Sequence, residues 1–168
     1  VWVTAVAAGL LAINWGMWLF AITNERIVEA SLGYFILPLV SVALGVIVLR
    51  ERLRTLQSIA VGIATIGVVG MAISVGSPPW IALALAFSFG TYGLVKKRPE
   101  IAAPLISLTG EVLILATPAV FVLVAMSSTN DLRVTDGLAA TAFLIATGVV
   151  TTVPLLFFGA ATKRVRLT

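Results

Sequence analysis

The sequence predicts an all-α polytopic membrane protein, a helical bundle with six transmembrane helices. Three observations predict it. Six runs of mostly apolar residues are long enough, or nearly so, to cross about 30 Å of hydrocarbon, which takes about 20 residues of helix. Across 168 residues 60% are hydrophobic and 11% charged, too few charges to coat a water-facing surface and far below the ~25% of a soluble domain. The basic residues fall between the apolar runs and alternate in density from one connection to the next. A transmembrane barrel is excluded, because its strands alternate polar and apolar residues, whereas these runs are apolar all round.

The first span runs from Val1 to Ile22, the second from Val28 to Leu49 and the third from Leu56 to Val75. The fourth, Trp80 to Val95, is short; the fifth covers Ile101 to Met126 and the sixth Leu138 to Ala161. Asn24-Glu25-Arg26 separates the first pair and Arg50-Glu51-Arg52-Leu53-Arg54 the second. Gly76-Ser77-Pro78-Pro79 closes the third span and opens the fourth, with Ser77 the expected N-cap and the prolines suited to a first turn. Lys96-Lys97-Arg98-Pro99-Glu100 ends the fourth, and residues 127–137 form the one long polar loop.

The connections after spans two, four and six hold Arg50, Arg52, Arg54, Lys96, Lys97, Arg98, Lys163, Arg164 and Arg166, whereas those after one, three and five hold only Arg26 and Arg133. By the positive-inside rule, residues 50–54, 96–100 and 163–168 are expected on the cytoplasmic side of the membrane. The chain starts with Val inside an apolar run and is expected to be part of a longer protein.

Cys and His are absent, which removes disulfides, thiolate nucleophiles, His-based metal sites and Ser-His triads. No GxxxxGK[ST] loop is present, and both aspartates, Asp131 and Asp136, lie in one loop. No enzyme chemistry and no cofactor are expected. The net charge of +4 comes in short clusters rather than as a continuous basic face, so nucleic acid is not an expected partner.

Glu111 is the one ionisable side chain placed well inside a span, near mid-depth. A carboxylate there is costly and faces either a cavity or a partner. Two readings stay open: binding of a substrate amine or proton coupling, and a hydrogen bond between helices. All eleven Lys and Arg are assigned to loops, so Glu111 is expected to face the cavity, unpaired by a base and largely neutral, and Glu111→Gln is expected to fold normally. Asn14 and Trp18 share a helix face, with Trp15 beside them, which could line a pocket for planar or amphipathic solutes. The alternative is interhelical hydrogen bonding for Asn14 and an interfacial position for Trp18. Tyr34 and Tyr92 are expected in the core or facing the cavity. Pro38, Pro118 and Pro154 interrupt spans and withdraw a backbone donor each, as at kinks or hinges. Small residues recur at Ser58, Gly62, Gly70 and Ser74 and at Ala82, Ala86 and Gly90, which suits close helix packing or a homodimer.

Residues 14–25 can be laid on residues 152–163, matching Phe20 to Phe158 and Ala21 to Gly159, with Arg26 on Arg164 just beyond. Identity is at chance level, but the offset is five helices. An odd offset would make the repeat inverted in the membrane.

Several segments resemble the RarD proteins, EamA-domain members of the drug/metabolite transporter superfamily known as chloramphenicol-sensitivity proteins. They are Asn14-Trp15, Glu29-Ala30-Ser31-Leu32-Gly33-Tyr34-Phe35 with Pro38-Leu39, and Arg50-Glu51-Arg52-Leu53. Gln57, Pro79-Trp80-Ile81-Ala82-Leu83-Ala84, Phe89-Gly90, Tyr92-Gly93-Leu94, Glu111 and Pro154-Leu155-Leu156 complete the resemblance. It implies ten helices in two inverted five-helix repeats, with residues 1–76 the last three helices of the first and 77–168 the first three of the second. It further implies export of small organic metabolites or drugs by alternating access, around Asn14, Trp15, Trp18, Tyr34, Tyr92 and Glu111. The alternative is a non-transporting membrane scaffold or assembly subunit. Membrane lipid and a small-molecule substrate are the expected partners, with proton coupling and homodimerisation as further candidates.

The charge alternation makes a direct test of topology, because the chain has no native Cys. A single Cys at Thr129 is expected to react with an impermeant thiol reagent from outside the cell, and one at Thr55 is not. The reverse labelling would overturn the orientation.

Overall fold

The computed structural model describes residues 2–76, 78–98, 103–127 and 138–164. They form six helices: α1 (Trp2–Thr23), α2 (Ile27–Ile47), α3 (Thr55–Val75), α4 (Trp80–Lys96), α5 (Pro104–Ser127) and α6 (Leu138–Arg164). No strand occurs among the described residues. All helices but α4 contain stretches long and apolar enough to cross a membrane, while α4 has 17 residues. The chain is a multi-pass, all-α membrane protein. Helix is what hydrocarbon requires, since each backbone donor and acceptor is satisfied within its own segment.

Local chemistry sets the helix ends. α1 stops where Glu25 takes a left-handed conformation (φ 58°) and the Arg26 N–H reaches back to the Ala21 carbonyl at 2.8 Å. This six-to-one closure uses up a carbonyl that α1 would otherwise leave unpaired. α3 starts with the Arg54 N–H donating to Gln57 Oε1 at 2.7 Å, and ends at Gly76, whose φ of 72° suits a residue without Cβ. α5 begins on Pro104, whose missing N–H costs nothing in a first turn. α2, α5 and α6 run unbroken through Pro38, Pro118 and Pro154.

The expected N-cap of α4, Ser77, lies outside the described residues, and the N-cap position falls instead on Pro79, which makes no side-chain cap. Glu29 of α2 supplies the acceptor. Its Oε1 takes the Ile81 N–H at 2.9 Å, and its Oε2 pairs with Arg26 at 2.7 Å. A carboxylate at a helix N-terminus meets both free N–H groups and the positive end of the helix dipole. Glu29 can therefore sit 4% exposed.

α4 is the centre of the bundle, packed most extensively against α2 and α1 and also touching α6. On one side Ala82 and Ala86 meet Leu32, Ile36 and Val40 of α2. On another Ile81 and Leu85 meet Ala21 of α1 and Ala30 of α2. Further along, Tyr92 packs with Ala7 and Leu11 of α1 and with Phe158 of α6. The small-residue stripe of α4 is thus a packing stripe. The stripe on α3 is not: Ser58, Gly62, Gly70 and Ser74 are exposed, and no residue from Thr55 to Ser74 is buried. Among the described residues α3 touches only α2, so its small residues meet no second helix there.

Close approach of α2 and α4 depends on glycine at two places. A Cβ at Gly33 would lie 3.1 Å from the Ala82 carbonyl oxygen and 3.2 Å from Leu85 Cβ, and one at Gly90 would lie 2.9 Å from Val40 Cγ1. Gly33→Val should therefore lower stability by ~1–3 kcal/mol through overpacking. Gly62→Val, where a Cβ meets nothing within 4 Å, should change it much less. Thermal unfolding of both variants in the same detergent tests the difference, and equal loss would contradict the packing described.

Candidate functional site

Two polar centres lie within the bundle. The first is an open-sided cavity of about 370 Å³ where α1, α2 and α4 diverge, reached also by Thr151 of α6. α1 contributes Asn14, Trp15 and Trp18, α2 contributes Ala30, Gly33, Tyr34 and Leu37, and α4 contributes Leu85 and Phe89. Asn14 lies one turn before Trp18, so the helical period sets both on the cavity side. Its amide nitrogen donates to the Leu85 carbonyl at 3.1 Å and to Ser88 Oγ at 3.0 Å. Ser88 Oγ in turn donates to the same Leu85 carbonyl at 3.1 Å. Asn14 is thereby fixed against α4.

Trp18 Nε1 donates to the Tyr34 hydroxyl at 2.8 Å, with ring centroids 5.8 Å apart. The pair ties α1 to α2 along one wall. Four residues after Tyr34 stands Pro38, so the Tyr34 carbonyl has no helical N–H to accept. Phe89 also lines the cavity and packs on Phe158 at 4.9 Å and Tyr92 at 5.6 Å. The volume suits a small organic solute, and the walls are mostly apolar with a few fixed polar groups, as in ligand pockets generally.

The second centre is a buried ionic cluster at the far end of α4. Lys96 Nζ pairs with Glu111 Oε1 and donates to Ser107 Oγ at 2.8 Å. Ser107 Oγ donates to Glu111 Oε1 at 2.8 Å, and the Tyr92 hydroxyl donates to Glu111 Oε2 at 2.9 Å. The ammonium also lies 5.3 Å from the centroid of the Tyr92 ring. Lys96 is 2% exposed and Glu111 fully buried. Among the described residues no buried side-chain nitrogen or oxygen lacks a partner, which is the condition for keeping charges inside at all. Next to it, Lys97 pairs at 3.2 Å with Glu51 of the α2–α3 connection.

The chain is similar over nearly all its length to curated proteins of one name. It is 48% identical over 165 residues to Protein RarD of Streptomyces exfoliatus, covering 98% of this chain and 52% of that one. It is 42% identical over 167 residues to Protein RarD of Escherichia coli K12, covering 99% of this chain and 56% of that one. The chain is of the RarD type. It is also 41% identical over 162 residues to the uncharacterized transporter YojE of Bacillus subtilis, covering 96% of this chain and 54% of that one. This RarD-type chain spans about half the length of the curated relatives it matches. No protein-family profile matches it, and no solved structure does.

Within this RarD-type chain the structure brings Asn14, Trp15, Trp18 and Tyr34 to one cavity. Tyr92 and Glu111 do not line it; they meet each other in the ionic cluster. The expectation of an unpaired Glu111 facing the cavity is corrected by Lys96. That residue belongs to the last turn of α4 rather than to a loop, and its long side chain reaches back to the carboxylate. Glu111 stands seven residues after the start of α5, ~10 Å along the axis. Sequence reasoning missed Lys96, Ser107, Ser88 and Glu29 as polar partners. The signal available for Lys96 was the shortness of its span, and for Glu29 the Pro78-Pro79 entry of α4, which brings no side-chain acceptor of its own. Arg133, Asp131, Asp136 and Arg166 lie outside the described residues.

Removing one member of the ion pair leaves the other charged and buried, which costs ~3–5 kcal/mol in comparable sites. Glu111→Gln, expected from sequence to fold normally, should therefore destabilise the protein strongly, as should Lys96→Met. The double variant should recover most of the loss. A double-mutant cycle on thermal unfolding measures this coupling, and additive losses would show that the pair does not interact in the folded protein.

Proposed function

We propose that this chain is part of a secondary transporter of small organic metabolites or drugs, acting as an exporter in the bacterial inner membrane by alternating access. The observation that carries the reading is the cavity between α1, α2 and α4: a space for a small solute, inside a membrane bundle, with aromatic walls and an anchored amide. Curated relatives that carry the name transporter support it. So does the lining of the cavity, which takes residues from α1 and, through Thr151, from α6, the two helices that the five-helix offset pairs as counterparts in an inverted repeat. Midplane sites at repeat interfaces are the general arrangement of such carriers.

In this reading residues 1–76 and 77–168 belong to successive repeats, and the packing of α4 on α1 and α2 is the contact between them. The connections that carry Arg50, Arg52, Arg54, Lys97 and Arg98 face the cytoplasm. The Glu51–Lys97 pair supports their lying on one side, since it joins two of them. The proline positions 38, 118 and 154 are the points at which α2, α5 and α6 would bend as access alternates.

The test uses the protein as encoded in full, expressed in a bacterial strain without its own copy. Cells making it should accumulate less of one or more members of a panel of small amphipathic solutes. Trp15→Ala, made in equal amount, should lose that difference by about tenfold, the effect of ~1.4 kcal/mol of lost contact in the cavity. Equal accumulation with and without the protein across the panel would refute transport.

A further inference from the structure

The cavity has a chemical character that narrows what it takes, and the argument rests on the transport reading only for its physiological meaning. None of its lining residues is acidic or basic. The two buried carboxylates are committed elsewhere: Glu111 accepts from Lys96, Ser107 and Tyr92, and Glu29 from the Ile81 N–H and Arg26. An ion entering the cavity would thus lose hydration and find no opposite charge. Aromatic faces alone attract a cation too weakly to offset that loss.

What the walls do offer can be read from valence. The Leu85 carbonyl can only accept, so the amide nitrogen of Asn14 faces it, and Ser88 takes the second N–H. Asn14 Oδ1 is then turned away and meets no donor among the described residues. Since no fully buried polar atom there lacks a partner, Oδ1 is open to the cavity that Asn14 lines. Tyr34 accepts from Trp18 and has no acceptor of its own among the described residues, so its O–H is free to donate. Accepting the indole N–H makes that hydroxyl a stronger donor. Trp15 and Phe89 present aromatic surface beside these two groups.

We propose that the cavity binds uncharged aromatic solutes that carry a hydrogen-bond donor, with the donor on Asn14 Oδ1 and the ring between Trp15 and Phe89. The test is saturable binding to the full-length protein in lipid nanodiscs, measured by calorimetry with four related probes. Indole is neutral with an N–H, 1-methylindole is neutral without one, tryptamine is a cation and indole-3-acetate an anion. Indole should bind tightest, and each of the other three about tenfold more weakly, the loss of one hydrogen bond or the burial of one charge. Asn14→Leu should abolish the advantage of indole over 1-methylindole. The comparison of the four probes on the unaltered protein stands by itself if that variant does not fold. Tighter binding of either ion, or equal binding of indole and 1-methylindole, would overturn the inference. So would no saturable binding of any probe to a protein that still exports a solute, and transport would then stand without this specificity. Binding in the expected order by a protein that exports nothing would sustain the inference and sink transport.

Discussion

α4 is held at both ends by carboxylates that belong to other helices, and the bundle is arranged around that constraint. At its start Glu29 of α2 accepts the Ile81 N–H, and Arg26, paired with Glu29, stacks 5.3 Å from the Trp80 ring. At its end Glu111 of α5 meets Lys96 and Tyr92. The reason is electrostatic. A 17-residue helix places its polar ends closer to the hydrocarbon than a 20-residue span would, so those ends must find partners within the protein. Negative groups suit the N-terminus through the helix dipole, and Lys96 suits the C-terminus for the same reason. The two clamps fix the axial position of α4, and the alanines and glycines along it then allow α2 to close in.

The cavity is a consequence of that register. Asn14 can bond the Leu85 carbonyl and Ser88 only while α4 is held at this height, and the amide acceptor is set by those bonds. The aromatic contact of Phe89 with Tyr92 joins the cavity wall to the residue that holds Glu111, one helical turn away. A rearrangement of the ionic cluster would therefore be felt at the cavity through packed rings rather than through charge. Contiguous packing of this kind is a sufficient physical route for coupling when the packed groups have two arrangements.

The spans were legible because hydrocarbon imposes one rule over about 20 residues, and composition alone reveals it. The predicted starts of the second, third and fourth spans fall within a residue of α2, α3 and α4. The polar side of the cavity was partly legible: Asn14 and Trp18 fall on one face by spacing, and an amide in a span has to bond to something. What it bonds to was not legible, because Ser88 and the Leu85 carbonyl are more than 70 residues away. Lys96 illustrates the opposite difficulty. A lysine at a span end reads as a solvated loop charge, and only the three-dimensional meeting of α4 with α5 turns it inward. The same holds for the stripe on α3, whose spacing matches that on α4 although only the latter finds a helix to pack against.

The two polar centres divide the electrostatic work between them. A charge in a membrane protein is tolerated where it is paired and bonded, and each buried polar side-chain atom of the cluster at Lys96 has a partner within the chain. Neutralised in this way, it projects little field toward the cavity. The cavity's own walls hold only dipoles, a tied amide and the hydroxyls of Tyr34 and Thr151, together with ring and aliphatic faces. Dipoles discriminate among neutral solutes by hydrogen-bond pattern, whereas an embedded unpaired charge would have favoured ions of the opposite sign. Moving Glu111 out of the cavity and onto Lys96 therefore changes the expected chemistry of the site from charge recognition to recognition by shape, stacking and hydrogen-bond pattern.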